Sequence, residues 1–115
     1  MKVIKSKNET ISVKEKYLMS MNPEIQRMRD AEGMVIPVKN WLLYSDLDKD
    51  GNVQTLLSIL TEDNVAYATN SKTFIDSFSD LCDMFTDSGE EIAAVKVIGG
   101  QSKAGRHFIT CAYAE

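Results

Sequence analysis

The sequence predicts a mainly β protein: a small barrel of five strands, with one helix between the third and fourth strands and a helical extension ahead of them. Three observations carry this. Five apolar or β-branched runs after residue 33 are separated by Gly, Asn and Asp turn residues. One segment between the third and fourth runs changes to helical period, with Phe74, Phe78, Leu81 and Phe85 on one face. The last 24 residues read as a glycine-bounded hairpin.

In chain order, residues 1–11 show no clear period and are expected to be flexible. Ser12-Val13-Lys14-Glu15 fits a capping box and predicts a short helix through Met21. Asn22-Pro23-Glu24 predicts a second helix start, because Asn caps well and Pro suits the first helical position; it would end near Gly33. Met34 to Tyr44 is the first strong strand, and Pro37 within it demands an edge position or a bulge. Ser45 to Asn52 is a polar turn. Val53 to Thr61 is the second strand, Glu62-Asp63-Asn64 a tight turn, and Val65 to Thr69 the third strand. Asn70-Ser71-Lys72-Thr73 opens the amphipathic helix, and Asp87-Ser88-Gly89 ends it. Ile92 to Ile98, the loop Gly99–Gly105, and Arg106 to Tyr113 form the closing hairpin.

Five strands with a helix between the third and fourth is the order of the OB-fold, a partly open barrel that binds oligonucleotides or oligosaccharides. Residues 1–33 would be the helical N-terminal extension and residues 34–115 the OB-fold domain, in one structural domain overall. An α+β sheet with one covering helix is the alternative architecture.

Charge is distributed unevenly. Residues 1–29 hold seven Lys and Arg against three Glu, residues 30–91 three Lys against thirteen Asp and Glu, and residues 92–115 three Lys and Arg against one Glu. The net charge of −4 argues against indiscriminate coating of duplex, but a cationic site at the chain ends is compatible with it, since local potential governs contact. No apolar stretch approaches the roughly 20 residues of a membrane span. The N-terminus lacks a signal-peptide apolar run, so a cytoplasmic protein is expected. Cys82 and Cys111 sit in apolar patterns and read as buried free thiols in a reducing compartment.

Two motif-like segments fail on inspection. Asp46-Leu47-Asp48-Lys49-Asp50-Gly51-Asn52-Val53 matches the first eight positions of an EF-hand loop, but Leu57 stands where a bidentate Glu is needed, and the flanks read as strands. A polar hairpin turn is expected there. Gly100 to Gly105 has the glycine spacing of a P-loop, but Arg106-His107 replaces the required Lys-Ser/Thr and a strand follows. His107 is the single histidine, and no zinc-ligand spacing or nucleophile–base motif is present, so neither an enzyme nor a cofactor or metal site is expected.

What remains is cations interleaved with aromatics, the pattern a single nucleic-acid strand requires: charge for phosphate and flat apolar faces for bases. In the last two strands, Val95, Val97, Ile109 and Cys111 suit a core, which leaves Lys96 and Phe108 facing outward with Arg106. Lys39, Lys72, Lys96, Lys103 and Arg106 are the candidate phosphate contacts. Trp41, Tyr44, Tyr67 and Phe108 are the candidate stacking residues, with His107 beside them; a core role is the competing reading for Trp41, and Tyr44 and Tyr67 are open because bulges reset strand alternation.

The segments Asn8–Leu18, Ala68–Phe74 and Ser102–Cys111 resemble small phage-encoded single-stranded DNA-binding proteins from phages of Gram-positive bacteria. The resemblance implies an OB-fold that coats single-stranded DNA in replication or recombination, in the host-cell cytoplasm. The N-terminal lysines would add DNA contacts or mediate self-association, and phage or host replication and recombination proteins are candidate partners. Many such proteins recruit partners through an acidic tail; this chain ends Ala112-Tyr113-Ala114-Glu115, so recruitment by that route is not expected. The alternative function is an OB-fold module that binds a replication, recombination or host-defence protein.

Overall fold

Two β-sheets and two α-helices make up the protein in a computed structural model, which describes residues 1–7 and 11–114. The chain runs β1 (Lys2–Ser6), α1 (Val13–Ser20), β2 (Gln26–Arg27), a 3₁₀ helix (Met28–Ala31), β3 (Val35–Pro37), β4 (Asn40–Leu47), β5 (Val53–Leu60), β6 (Ala66–Thr69), α2 (Lys72–Asp87), β7 (Ala94–Gln101) and β8 (His107–Ala114). One sheet has the order β1-β4-β5-β6-β2 and the other β3-β7-β8. The protein is mainly β, and the two sheets do not join into a closed barrel.

The N-terminal third departs from expectation. Lys2–Ser6 pairs antiparallel with β4 and is a sheet edge, not a loose segment. Its Val3 and Ile4 remain exposed, so no buried face imposes a period on its sequence. The expected flexibility of residues 8–10 lies outside the described residues. α1 forms as predicted: the Ser12 Oγ accepts from the Glu15 N–H at 3.1 Å. The second helix does not form. The Asn22 Oδ1 accepts from the Glu24 N–H at 3.1 Å, an Asx turn made from the same donor–acceptor chemistry as a helix cap. The chain then enters the two-residue β2, which pairs parallel with β6, and a 3₁₀ turn. Residues 1–33 therefore contribute two strands to the five-stranded sheet and are not a purely helical extension.

The predicted strand Met34–Tyr44 is two strands in two sheets. β3 is an edge of the three-stranded sheet, the position Pro37 demands. At Val38-Lys39 the chain crosses over: the Val38 N–H donates to the Ala93 carbonyl and the Lys39 N–H to the Leu60 carbonyl. That crossing ties the sheets together at one side. β4 then continues to Leu47, in register with Val53, so the polar turn is shorter than expected. Within it the Asp48 Oδ1 accepts from the backbone N–H groups of Asp50 (2.8 Å) and Asn52 (2.9 Å), and Gly51 takes a φ of 83°. The carboxylate thus serves the hairpin itself, and Leu57 lies in the core.

The main core lies between the sheets and α2. Phe74 and Phe78 fill its centre with Leu57, Ile59, Val95, Val97 and Ile109. The Phe78 ring meets Trp41 edge-on, with centroids 5.5 Å apart. A second cluster, Met19, Leu42, Tyr44, Leu60 and Ala66, packs α1 on the opposite face of the five-stranded sheet. Burial pushes the free Cys82 thiol up to about 11 and that of Cys111 up to about 12, which keeps both neutral at pH 7.

Helix α2 also covers the edge of β8. The Thr73 Oγ1 donates to the Ile109 carbonyl at 2.6 Å, and the Ser77 Oγ accepts from the Cys111 N–H at 2.9 Å. Hydroxyls thereby occupy backbone groups that would otherwise present an open strand edge. Beyond the first turn of α2, towards the start of β8, this cover ends.

Candidate nucleic-acid interface

A groove of about 610 Å³ opens where the cover ends, between β2 and the adjoining 3₁₀ turn on one side and the start of β8 on the other. It is lined by Ile25, Gln26, Arg27 and Arg29 from the first wall, by Gln54, Leu56, Ala68, Thr69, Asn70 and Ser71 from β5, β6 and the start of α2, and by His107, Phe108 and Ile109 from β8. None of these residues is acidic, in a chain of net charge −4. The groove lies at the β2–β8 side of the seam between the two sheets, where no strand of one sheet pairs with a strand of the other and the chain passes from the 3₁₀ turn to Gly33 and Met34, both bonded to Val97 of β7.

Backbone geometry places each wall. The pairing of Gln26 with Tyr67 and of Arg27 with Ala68 fixes the arginine-bearing segment against β6. The β7–β8 ribbon stays paired out to Gln101 and His107, so Gly99 and Gly100 belong to the strand and not to the loop. The loop proper is closed by Ser102, whose carbonyl accepts from the Gly105 N–H and whose Oγ accepts from the Arg106 N–H at 3.2 Å. Gly105 has a φ of 79°, a left-handed conformation that favours glycine. The half-buried Phe108 ring lies over Gly100, where an added Cβ would come within 2.8 Å of its Cζ.

Of the residues singled out from sequence, His107 and Phe108 line the groove. Lys103 and Arg106 are exposed in the adjoining hairpin loop, and neither makes an ion pair among the described residues. Lys72 follows the groove residue Ser71, but its Nζ lies 2.7 Å from Asp76 Oδ2; that hydrogen bond raises the lysine's pKa. Lys96 is exposed on the outer face of the three-stranded sheet, between Val35 and Ala112, away from the groove. Lys39 lies 3.7 Å from Glu15 and is committed to α1.

The other aromatics are placed elsewhere. Tyr44 is 3% exposed and its hydroxyl donates to the Met19 carbonyl, so it presents no ring to a ligand; burial first, then Asp46, raise its pKa. Tyr67 is half-buried against the main core. Trp41 packs on Phe78 and borders a separate groove of about 310 Å³ that also holds Glu90 and Glu91, carboxylates that repel a phosphate backbone.

Sequence reasoning missed Arg27, Arg29, Gln26, Gln54 and Asn70. The available signal was the cationic bias of residues 1–29; the false helix start at Asn22 hid where those charges lie. Arg27 holds Asp30 at 3.2 Å, whereas Arg29 makes no ion pair among the described residues.

A groove with arginines, amide side chains and an aromatic residue in its wall and no acidic residue in its lining has the chemistry of a protein that binds a single nucleic-acid strand. The chain belongs to the family described as Phage Single-stranded DNA-binding protein, whose model matches residues 2–113. No curated protein and no solved structure gives a significant match. Among the described residues no helix is long and apolar enough to cross a membrane.

Proposed function

We propose that this phage single-stranded DNA-binding protein coats DNA with little sequence preference by laying one strand along the seam between its sheets, in replication or recombination. Arg27, Arg29, Lys103 and Arg106 contact phosphates, Phe108 supplies a stacking surface, and His107, Gln26, Gln54 and Asn70 add hydrogen bonds. The observation that carries this is the convergence of Arg27, Arg29, His107 and Phe108 on one groove without a carboxylate in its lining. Lys72 adds charge at the helix start; Lys39, Lys96, Trp41, Tyr44 and Tyr67 act elsewhere. In this reading the two sheets are an opened OB-fold barrel with the ligand at its gap. Residues 1–33 and 34–115 work as one unit, because β1 and β2 complete the larger sheet. The role is binding, without catalysis, inside the host cell.

The groove beside Trp41, with Glu90 and Glu91 at its rim, favours a second use, the docking of a replication or recombination protein.

Fluorescence anisotropy with a labelled dT strand tests the main reading. Single strands bind more tightly than duplex of equal length, because stacking needs unpaired bases, and Phe108→Ala lowers affinity by roughly 1–3 kcal/mol. Equal affinity for the two forms contradicts it.

A further inference from the structure

Two carboxylates stand at the groove without belonging to its lining, Asp30 on Arg27 and Glu32 on His107, and only Glu32 reaches across to the β8 wall. Glu32 follows the 3₁₀ turn that carries Arg29, and its Oε2 lies 3.1 Å from His107 Nε2. Its side chain lies over Gly99 of β7, where any Cβ would collide with the carboxylate. Gly99 is paired with Ile109, and Ile109 and His107 both line the groove. The absence of a side chain at residue 99 therefore gives Glu32 its seat beside a groove donor.

A carboxylate and a DNA phosphate ask the same thing of an imidazole: an N–H aimed at an anionic oxygen. The two anions also repel each other at one donor. We propose that Glu32 is a built-in competitor for DNA phosphate. It holds His107 in the free protein and opposes a phosphate arriving there, so the strand is bound less tightly than the groove's cations alone would allow and is released more readily. This rests on the seam groove being the DNA path.

The test is the affinity of two Glu32 variants for a labelled dT strand at low salt. Glu32→Gln keeps an oxygen that accepts from His107 and removes the charge. Glu32→Ala removes both the charge and the hydrogen bond. A competitor predicts that both variants bind about three- to tenfold more tightly, with the gain shrinking as salt screens it. A positioning role predicts little change for Glu32→Gln and weaker binding for Glu32→Ala. Glu62→Gln makes the same charge change in the β5–β6 turn and is expected to stay within about 1.5-fold of wild type. If it tightens binding as much as Glu32→Gln does, net charge explains the gain and the proposal is overturned. Arg29→Ala separates the groove from the competitor. Weaker binding in Arg29→Ala, with no tightening in either Glu32 variant, overturns the competitor and leaves the groove standing. Wild-type binding by Arg29→Ala overturns the groove and the competitor with it.

Discussion

Phe78→Ala loses roughly 3–5 kcal/mol of folding stability, the range for truncating a buried aromatic. Phe78 is 2% exposed and sits where α2 meets both sheets. Its ring meets Trp41 edge-on and stacks against Phe74 at 6.5 Å between centroids. Trp41 belongs to β4 and Phe74 to α2 itself, two elements held by separate backbone bonding, so the two rings do not collapse together into the space the Phe78 ring leaves. The cost is then the lost transfer of the ring plus an unfilled cavity. The residue lies outside the groove, so the fraction that stays folded retains its affinity for a dT strand. Urea unfolding measures the loss; a change below about 1 kcal/mol contradicts this account of the core.

Replacing Arg27 and Arg29 together by alanine has the opposite signature. Both side chains are exposed, so the unfolding midpoint changes little. DNA affinity at low salt falls by about 1.5 kcal/mol, or roughly tenfold, for a fully available charge-assisted contact, and by less for one already engaged. Each phosphate contact on a single strand contributes about 0.7 to the slope of log affinity against log salt, so the double variant flattens that slope by about 1.4. Of the two, Arg29→Ala has the larger share, because Arg27 is already engaged by Asp30 at 3.2 Å. A variant that loses affinity with an unchanged salt slope contradicts the assignment of these residues to phosphate.

Helix α2 was legible in the sequence because two independent signals agree: the polar opening Asn70-Ser71-Lys72-Thr73 and the period of Phe74, Phe78, Leu81 and Phe85; within that opening the structure makes Ser71 the cap, its Oγ accepting from the Phe74 N–H. The terminal hairpin was legible through its β-branched runs, and Val95, Val97, Ile109 and Cys111 are buried as the alternation predicts. Edge strands left weaker marks. β1 keeps Val3 and Ile4 exposed, and β2 is only two residues long, so neither carries an alternating pattern. Asn22 shows the limit of local chemistry, since one side-chain acceptor serves an Asx turn as well as a helix cap. The candidate groove was half legible for the same reason. His107 and Phe108 sit on a strand whose alternation is readable, whereas Arg27 and Arg29 reach the groove only through the parallel pairing of β2 with β6, a long-range contact with no local trace.

The measurement that bears most directly on the central claim is a map of backbone amide shifts in the ¹⁵N-labelled protein as a short dT strand is added. The account predicts that the largest changes fall on Gln26, Arg27, Arg29, Asn70, Ser71, His107 and Phe108, on both walls of the seam. Changes centred instead on Trp41, Thr86, Glu90 and Glu91, around the other groove, would contradict it.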